Sequence, residues 1–126
     1  MKLERMRINV TTAAGGGGSA SGDRHVFGLL YAAQFIDGDF ADGVDVTVTC
    51  EHGDLSKTLL VKADFNTDSM FYPRDLVNAT ADGAALTGTA GGDRCLPIIF
   101  GTPKVVIAAG GDAKTGGVIL YFYENE

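Results

Sequence analysis

The chain contains no tryptophan, and its 126 residues include only two histidines, two cysteines and three prolines. Neither Cys50 nor Cys95 has a second cysteine at metal-ligand spacing, and His25 and His52 are the only imidazoles, so zinc-site patterns fail. No Gly-x-Ser-x-Gly element occurs. A Ser-His-Asp or Cys-His relay would rest on contacts that spacing does not supply, and both histidines read as ordinary surface or edge positions. Without tryptophan, sugar binding and glycoside cleavage have no visible aromatic platform. No apolar run approaches the length of about 20 residues that a membrane span needs. Met1-Lys2-Leu3-Glu4-Arg5 is not followed by an apolar leader region, so synthesis in a reducing cytosol is expected, with Cys50 and Cys95 as free, buried thiols.

Basic residues are missing altogether between positions 37 and 54, where Asp37, Asp39, Asp42, Asp45, Glu51 and Asp54 stand. The chain has 16 acids and 10 bases, so these six account for the whole net charge of −6, and one acidic edge is expected. Lys2, Arg5 and Arg7 are interrupted by Glu4 and read as a solvated strand face, so nucleic acid is excluded as a partner. The run Asp37-Gly38-Asp39-Phe40-Ala41-Asp42-Gly43-Val44-Asp45 departs from an EF-hand loop, with Ala41 at the fifth position and glycine one residue late. A differently ligated calcium site and a solvated acidic turn both stay open.

What the chain has in quantity is glycine, 18 residues, together with 45% hydrophobic residues. That apolar content excludes disorder, and the length suits one domain with one core. Period-two alternation in Met6-Arg7-Ile8-Asn9-Val10-Thr11 predicts a strand with Met6, Ile8 and Val10 inward. Val44 to Glu51 alternates most cleanly, with Val44, Val46, Val48 and Cys50 inward. His25 to Ile36 is apolar on both faces and reads as a central strand in preference to a buried helix, because Gly28 would weaken a helix. Further short strands are expected at Lys57 to Val61, Met70 to Tyr72, Lys104 to Ala109 and Val118 to Glu124. The predicted fold is all-β: a single-domain antiparallel sandwich of jelly-roll type.

Residues 15–22, Gly-Gly-Gly-Gly-Ser-Ala-Ser-Gly, read as a flexible loop spanning about 15–17 Å. Such a loop can cross between sheets, protrude, or free residues 1–22 as an arm exchanged with a neighbouring subunit, with residues 23–126 as the sandwich body. Gly110 to Gly117 is expected to join the last two strands as a hairpin loop. Neither glycine stretch ends in Gly-Lys-Ser/Thr or leads into a helix, which excludes a phosphate loop.

From Met70 onward the sequence reads Phe71-Tyr72-Pro73-Arg74-Asp75, then Ala79-Thr80-Ala81-Asp82-Gly83-Ala84-Ala85-Leu86, Leu96-Pro97-Ile98, and Val105-Val106-Ile107-Ala108-Ala109-Gly110-Gly111-Asp112-Ala113-Lys114-Thr115-Gly116. This pattern resembles a family of small virion proteins of tailed bacteriophages. It covers residues 69–124, with a weaker likeness in the Thr-Thr-x-x-Gly start, while residues 23–66 fall outside it. The resemblance implies a non-enzymatic structural role in the virion, without cofactor, membrane or small-molecule substrate. The expected partner is the major capsid protein, bound as a decoration or cement protein, with a head-tail neck or tail component as the competitor. A ligand-binding module, such as a carbohydrate binder, is the third class. Three-fold positions on a capsid make a trimer the expected oligomer. Phe71, Tyr72 and Arg74 are the candidate interface residues, since aromatic and arginine anchors dominate contacts. The structural alternative is that Pro73 marks an edge while the aromatics pack.

Overall fold

The computed structural model describes residues 2–76 and 94–124, the side chain of Leu76 excepted. The 79–86 part of the phage-like pattern lies outside the described residues. Among the described residues ten strands follow one another: β1 (Lys2–Thr11), β2 (Gly18–Ser21), β3 (Val26–Ile36), β4 (Val44–His52), β5 (Leu55–Phe65), β6 (Ser69–Phe71), β7 (Asp75–Leu76), β8 (Arg94–Cys95), β9 (Ile98–Ala108) and β10 (Thr115–Glu124). Every pairing is antiparallel, and the described residues contain no helix. The all-β sandwich expected from periodicity is the fold observed.

Eight strands form one bent sheet in the order β1-β10-β3-β9-β4-β5, with β2 added to β9 and β6 to β3, while β7 and β8 pair separately. The bend lies in β9. Its first part, Ile98 to Gly101, pairs with Val26 to Leu29 of β3, and its remainder, Thr102 to Ala108, pairs with β4. Gly101 sits at the switch with φ of 69°, and a Cβ there would collide with the Glu51 carbonyl oxygen, so only glycine lets the strand cross. The sheet thus folds into two layers, β1-β10-β3-β6 facing β2-β9-β4-β5.

The core fills the space between them. Met6, Ile8 and Val10 of β1 and Val44, Val46, Val48 and Cys50 of β4 point inward as the alternation predicts, beside Leu30, Phe35, Ile99, Val105, Ile107, Leu120 and Phe122. Each fully buried aliphatic or phenyl side chain contributes roughly 1.5–3 kcal/mol of transfer free energy.

Four expectations are corrected. First, β5, β9 and β10 are longer than expected, 10–11 residues, because ladder pairing with neighbouring strands carries them beyond their apolar runs, as where Lys62 pairs with Val46. Second, the glycine-rich segment is built into the fold rather than slack. A turn at Ala13 to Gly17 closes through Ala13 N–H to Gly17 O and Gly16 N–H to Ala13 O, both 2.9 Å, and β2 then pairs Gly18 with Ile107 and Ser21 with Lys104. Gly16 has φ of 84°, and its carbonyl accepts from Gly110 N–H at 2.8 Å. The segment crosses between the layers, and β1 pairs along its whole length with β10 of the same chain.

Third, the 110–117 stretch does not close a hairpin, because β10 lies between β1 and β3 while β9 belongs with β4 and β2. Turn composition marks a reversal but not the strand that receives the chain. The buried Thr12 ties this crossing down: its Oγ1 donates to Gly111 O at 2.5 Å and accepts from Lys114 N–H at 2.9 Å. Fourth, the acidic segment does not make one edge. β4 separates its acids by roughly 25 Å at about 3.3 Å per residue. Asp37, Asp39, Asp42 and Asp45 gather with Asp64 and Asp68 at one end, and Glu51 and Asp54 lie at the other.

Candidate functional site: an aromatic and cationic face

The outward face of the first layer carries all four tyrosines of the chain. In β10, Phe122 and Leu120 point to the core, so Tyr121 and Tyr123 point away from it. Tyr31 reaches the same face through a β-bulge. Tyr121 stands opposite Ala32 and Phe122 opposite Leu30, which leaves Tyr31 as the extra residue and turns Tyr31 and Ala32 outward together. β6 pairs Phe71 with Ala33 and Met70 with Gln34, so Met70 faces outward and the chain then delivers Tyr72 beside Tyr31.

These rings form a connected cluster. Tyr31 meets Tyr72 and Tyr123 edge-on, each at 6.0 Å between centroids, geometry that suits the aromatic quadrupole. The Arg74 guanidinium lies 5.8 Å from the Tyr31 centroid, and its Nη1 donates to the Tyr31 carbonyl at 3.0 Å and the Pro73 carbonyl at 2.6 Å. The Tyr121 hydroxyl donates to Gln34 Oε1 at 3.0 Å. Between the rings runs a shallow groove of about 290 Å³, lined by Leu3, Tyr31, Ala32, Met70, Tyr72 and Tyr121. Leu3 is 52% exposed, Met70 42% and Tyr72 56%, a density of uncovered apolar surface beyond scattered single residues.

Of the three residues singled out from sequence, Tyr72 and Arg74 stand on this face. Phe71 turns the other way and packs half-buried against the core, 5.2 Å from the Phe65 ring. Leu3, Tyr31, Met70, Tyr121 and Tyr123 were not anticipated. The Tyr-x-Tyr spacing in β10 was a usable signal, since period two puts both rings on one face. Tyr31 had no such signal, because a bulge shifts its phase.

The other candidate positions are placed elsewhere. His25 and His52 meet edge-on at 6.1 Å near Phe27, and His25 Nδ1 lies 3.3 Å from Thr102 Oγ1. Among the described residues neither ring is hydrogen-bonded to a serine or cysteine. Cys50 is buried, and that burial pushes its thiol up from the usual range, whereas Cys95 is exposed, correcting the expectation of two buried thiols. Cys95 sits on the two-residue strand β8, which pairs with β7 apart from the main sheet.

Three acids at this end accept hydrogen bonds from backbone, while Asp37 Oδ1 is buried with no hydrogen-bond partner among the described residues. Asp39 accepts from Thr115 N–H at 2.6 Å, Asp45 from Asp64 N–H at 3.1 Å and Asp68 from Asp37 N–H at 2.8 Å. Among the described residues no group of three acidic, histidine or cysteine side chains is arranged to hold a metal ion. Burial first, then the charges of Asp42, Asp68 and Asp39, raise the pKa of Asp37 above the usual carboxylate value.

The chain matches no protein-family model, no curated protein and no solved structure.

Proposed function

We propose that this chain is a non-enzymatic structural protein of a tailed-phage virion, one that binds the capsid shell as a decoration protein and stabilises it. The observation that supports this most is the tyrosine and arginine face. Contact surfaces are enriched in these residues, and anchors of this kind carry most of the binding energy in an interface. The phage-like pattern contributes Tyr72 and Arg74 to that face directly. A rigid antiparallel body presenting a shallow groove suits adhesion, since a catalytic pocket needs depth and converging polar groups. In this reading the protein is made in the host bacterial cytoplasm and resides on the virion. Its partner is the major capsid protein, and trimers occupy three-fold positions of the shell.

The test is co-sedimentation of the purified protein with mature shells, followed by heating. Shells carrying the protein are expected to open at higher temperature than bare ones. Failure to sediment with shells overturns the proposal. A mass-spectrometric count of a few copies per particle, in place of hundreds, moves the protein to the neck or tail.

A further inference from the structure

The groove lies at the lower limit of the volumes, about 300–1,000 Å³, that enclose small ligands. It has room for one anchoring apolar side chain of a larger partner, and Met70 on its wall gives an adaptable surface. Its surroundings select that partner's charge. Arg5 stands opposite Tyr121 in the β1–β10 ladder, Arg7 opposite Ile119, and Arg74 over Tyr31. Lys2, Arg24 and Lys57 are each paired with a carboxylate, whereas among the described residues Arg5, Arg7 and Arg74 are in no ion pair. No Asp or Glu occupies an outward position of β1, β3, β6 or β10 around the groove. A chain of net charge −6 thus sets three of its five arginines on one aromatic face, in no ion pair among the described residues.

We propose that this groove receives an acidic segment of the partner, with one apolar side chain seated between Leu3, Met70 and Tyr121 and flanking carboxylates on Arg5, Arg7 and Arg74. Guanidinium forks bind carboxylates through paired hydrogen bonds, and complementary charge selects the partner and speeds encounter. Nucleic acid fits less well, because the tyrosine rings are engaged edge-on with one another and are not arranged as a platform for stacking successive bases. The inference rests on reading this face as the shell contact and adds the chemistry of what is contacted.

The test measures fluorescence anisotropy of two labelled peptides, Glu-Leu-Glu-Phe-Glu and Lys-Leu-Lys-Phe-Lys, titrated with the full chain. The acidic peptide is expected to bind and the basic one not. Raising salt from about 50 to about 500 mM, or the double substitution Arg5→Glu with Arg7→Glu, is expected to weaken binding about tenfold or more. An unchanged far-ultraviolet β spectrum shows that the variant is folded, and Arg5→Lys with Arg7→Lys is expected to restore part of the affinity. Equal binding of both peptides, or no binding of the acidic one, overturns the inference. Shell co-sedimentation separates the two readings. If the Arg5→Glu, Arg7→Glu variant sediments with shells as well as the wild type, the acidic chemistry is wrong and the shell role stands. If the acidic peptide binds but shells do not, the shell role falls and the groove stands. Self-association abolished equally by Asp39→Asn with Asp42→Asn and by the arginine substitutions would make the occupant a second copy, and overturn the inference.

Discussion

Arg74 holds Tyr31 twice, by a guanidinium stacked 5.8 Å from the ring centroid and by a 3.0 Å hydrogen bond to the Tyr31 carbonyl. The stack contributes about 0.5–1 kcal/mol at an exposed site. A double-mutant cycle of Tyr31→Ala and Arg74→Ala in urea denaturation should return a coupling energy of that size. Strict additivity would show that the stack is not formed in solution.

Thr12 joins the turn after β1 to the crossing before β10 through one hydroxyl. Replacing it by valine keeps the shape but leaves Lys114 N–H and Gly111 O without their partner. The expected loss is about 1–3 kcal/mol, with a much smaller loss for Thr12→Ser. Equal stability of the valine and serine variants would contradict this.

Thr49 presents the opposite case, a hydroxyl buried in β4 with no hydrogen-bond partner. Thr49→Val removes the unsatisfied group and suits the strand, so the melting temperature should rise by about 2–4 °C, corresponding to a gain of about 0.5 kcal/mol. A fall in melting temperature would mean that the hydroxyl is satisfied in solution.

Thiol labelling should divide the two cysteines. In the native protein a neutral maleimide should modify Cys95 alone, since Cys50 is buried and its raised pKa suppresses the reactive thiolate. Cys95→Ser should abolish native labelling, and denaturant should expose one further thiol. Labelling of Cys50 at the rate of Cys95 without denaturant would contradict the burial.

Asp37 titrates above an ordinary aspartate because burial and three neighbouring acids disfavour its charge. A raised folded-state pKa means that the native protein holds the proton more tightly than the unfolded chain. The charged form therefore costs stability at neutral pH, and that cost fades as pH falls through the carboxylate range. Asp37→Asn should raise the neutral-pH melting temperature by about one or two degrees, as expected for a partly exposed group. The difference should shrink in acid. A gain that stays constant with pH would assign the effect to something other than charge.

Much of the fold was legible because β1 and β4 alternate strictly, so Met6, Ile8, Val10 and the valines of β4 declare their inward face. The sandwich follows from such strands and from turn residues between them. Pairing was not legible. Gly110 to Gly117 has hairpin composition, yet the receiving strand is fixed by β1 and β3 flanking β10, a long-range arrangement that no local signal carries. The same limit hid the aromatic face. Tyr72 and Arg74 were read from one short stretch, but the remaining tyrosines arrive from β3 and β10, and Tyr31 owes its direction to a bulge.

The pairing of β1 with β10 sets Lys2 opposite Glu124 and so brings the two ends of the described chain into one ladder. A growing polypeptide on the ribosome therefore leaves the β10-facing edge of β1 unpaired until β10 has emerged. Loop closure over nearly the whole sequence must precede the contacts that reward it, so acquisition of the native state is slow and late. In the interval the unpaired edge of β1 is open to mispairing with other chains.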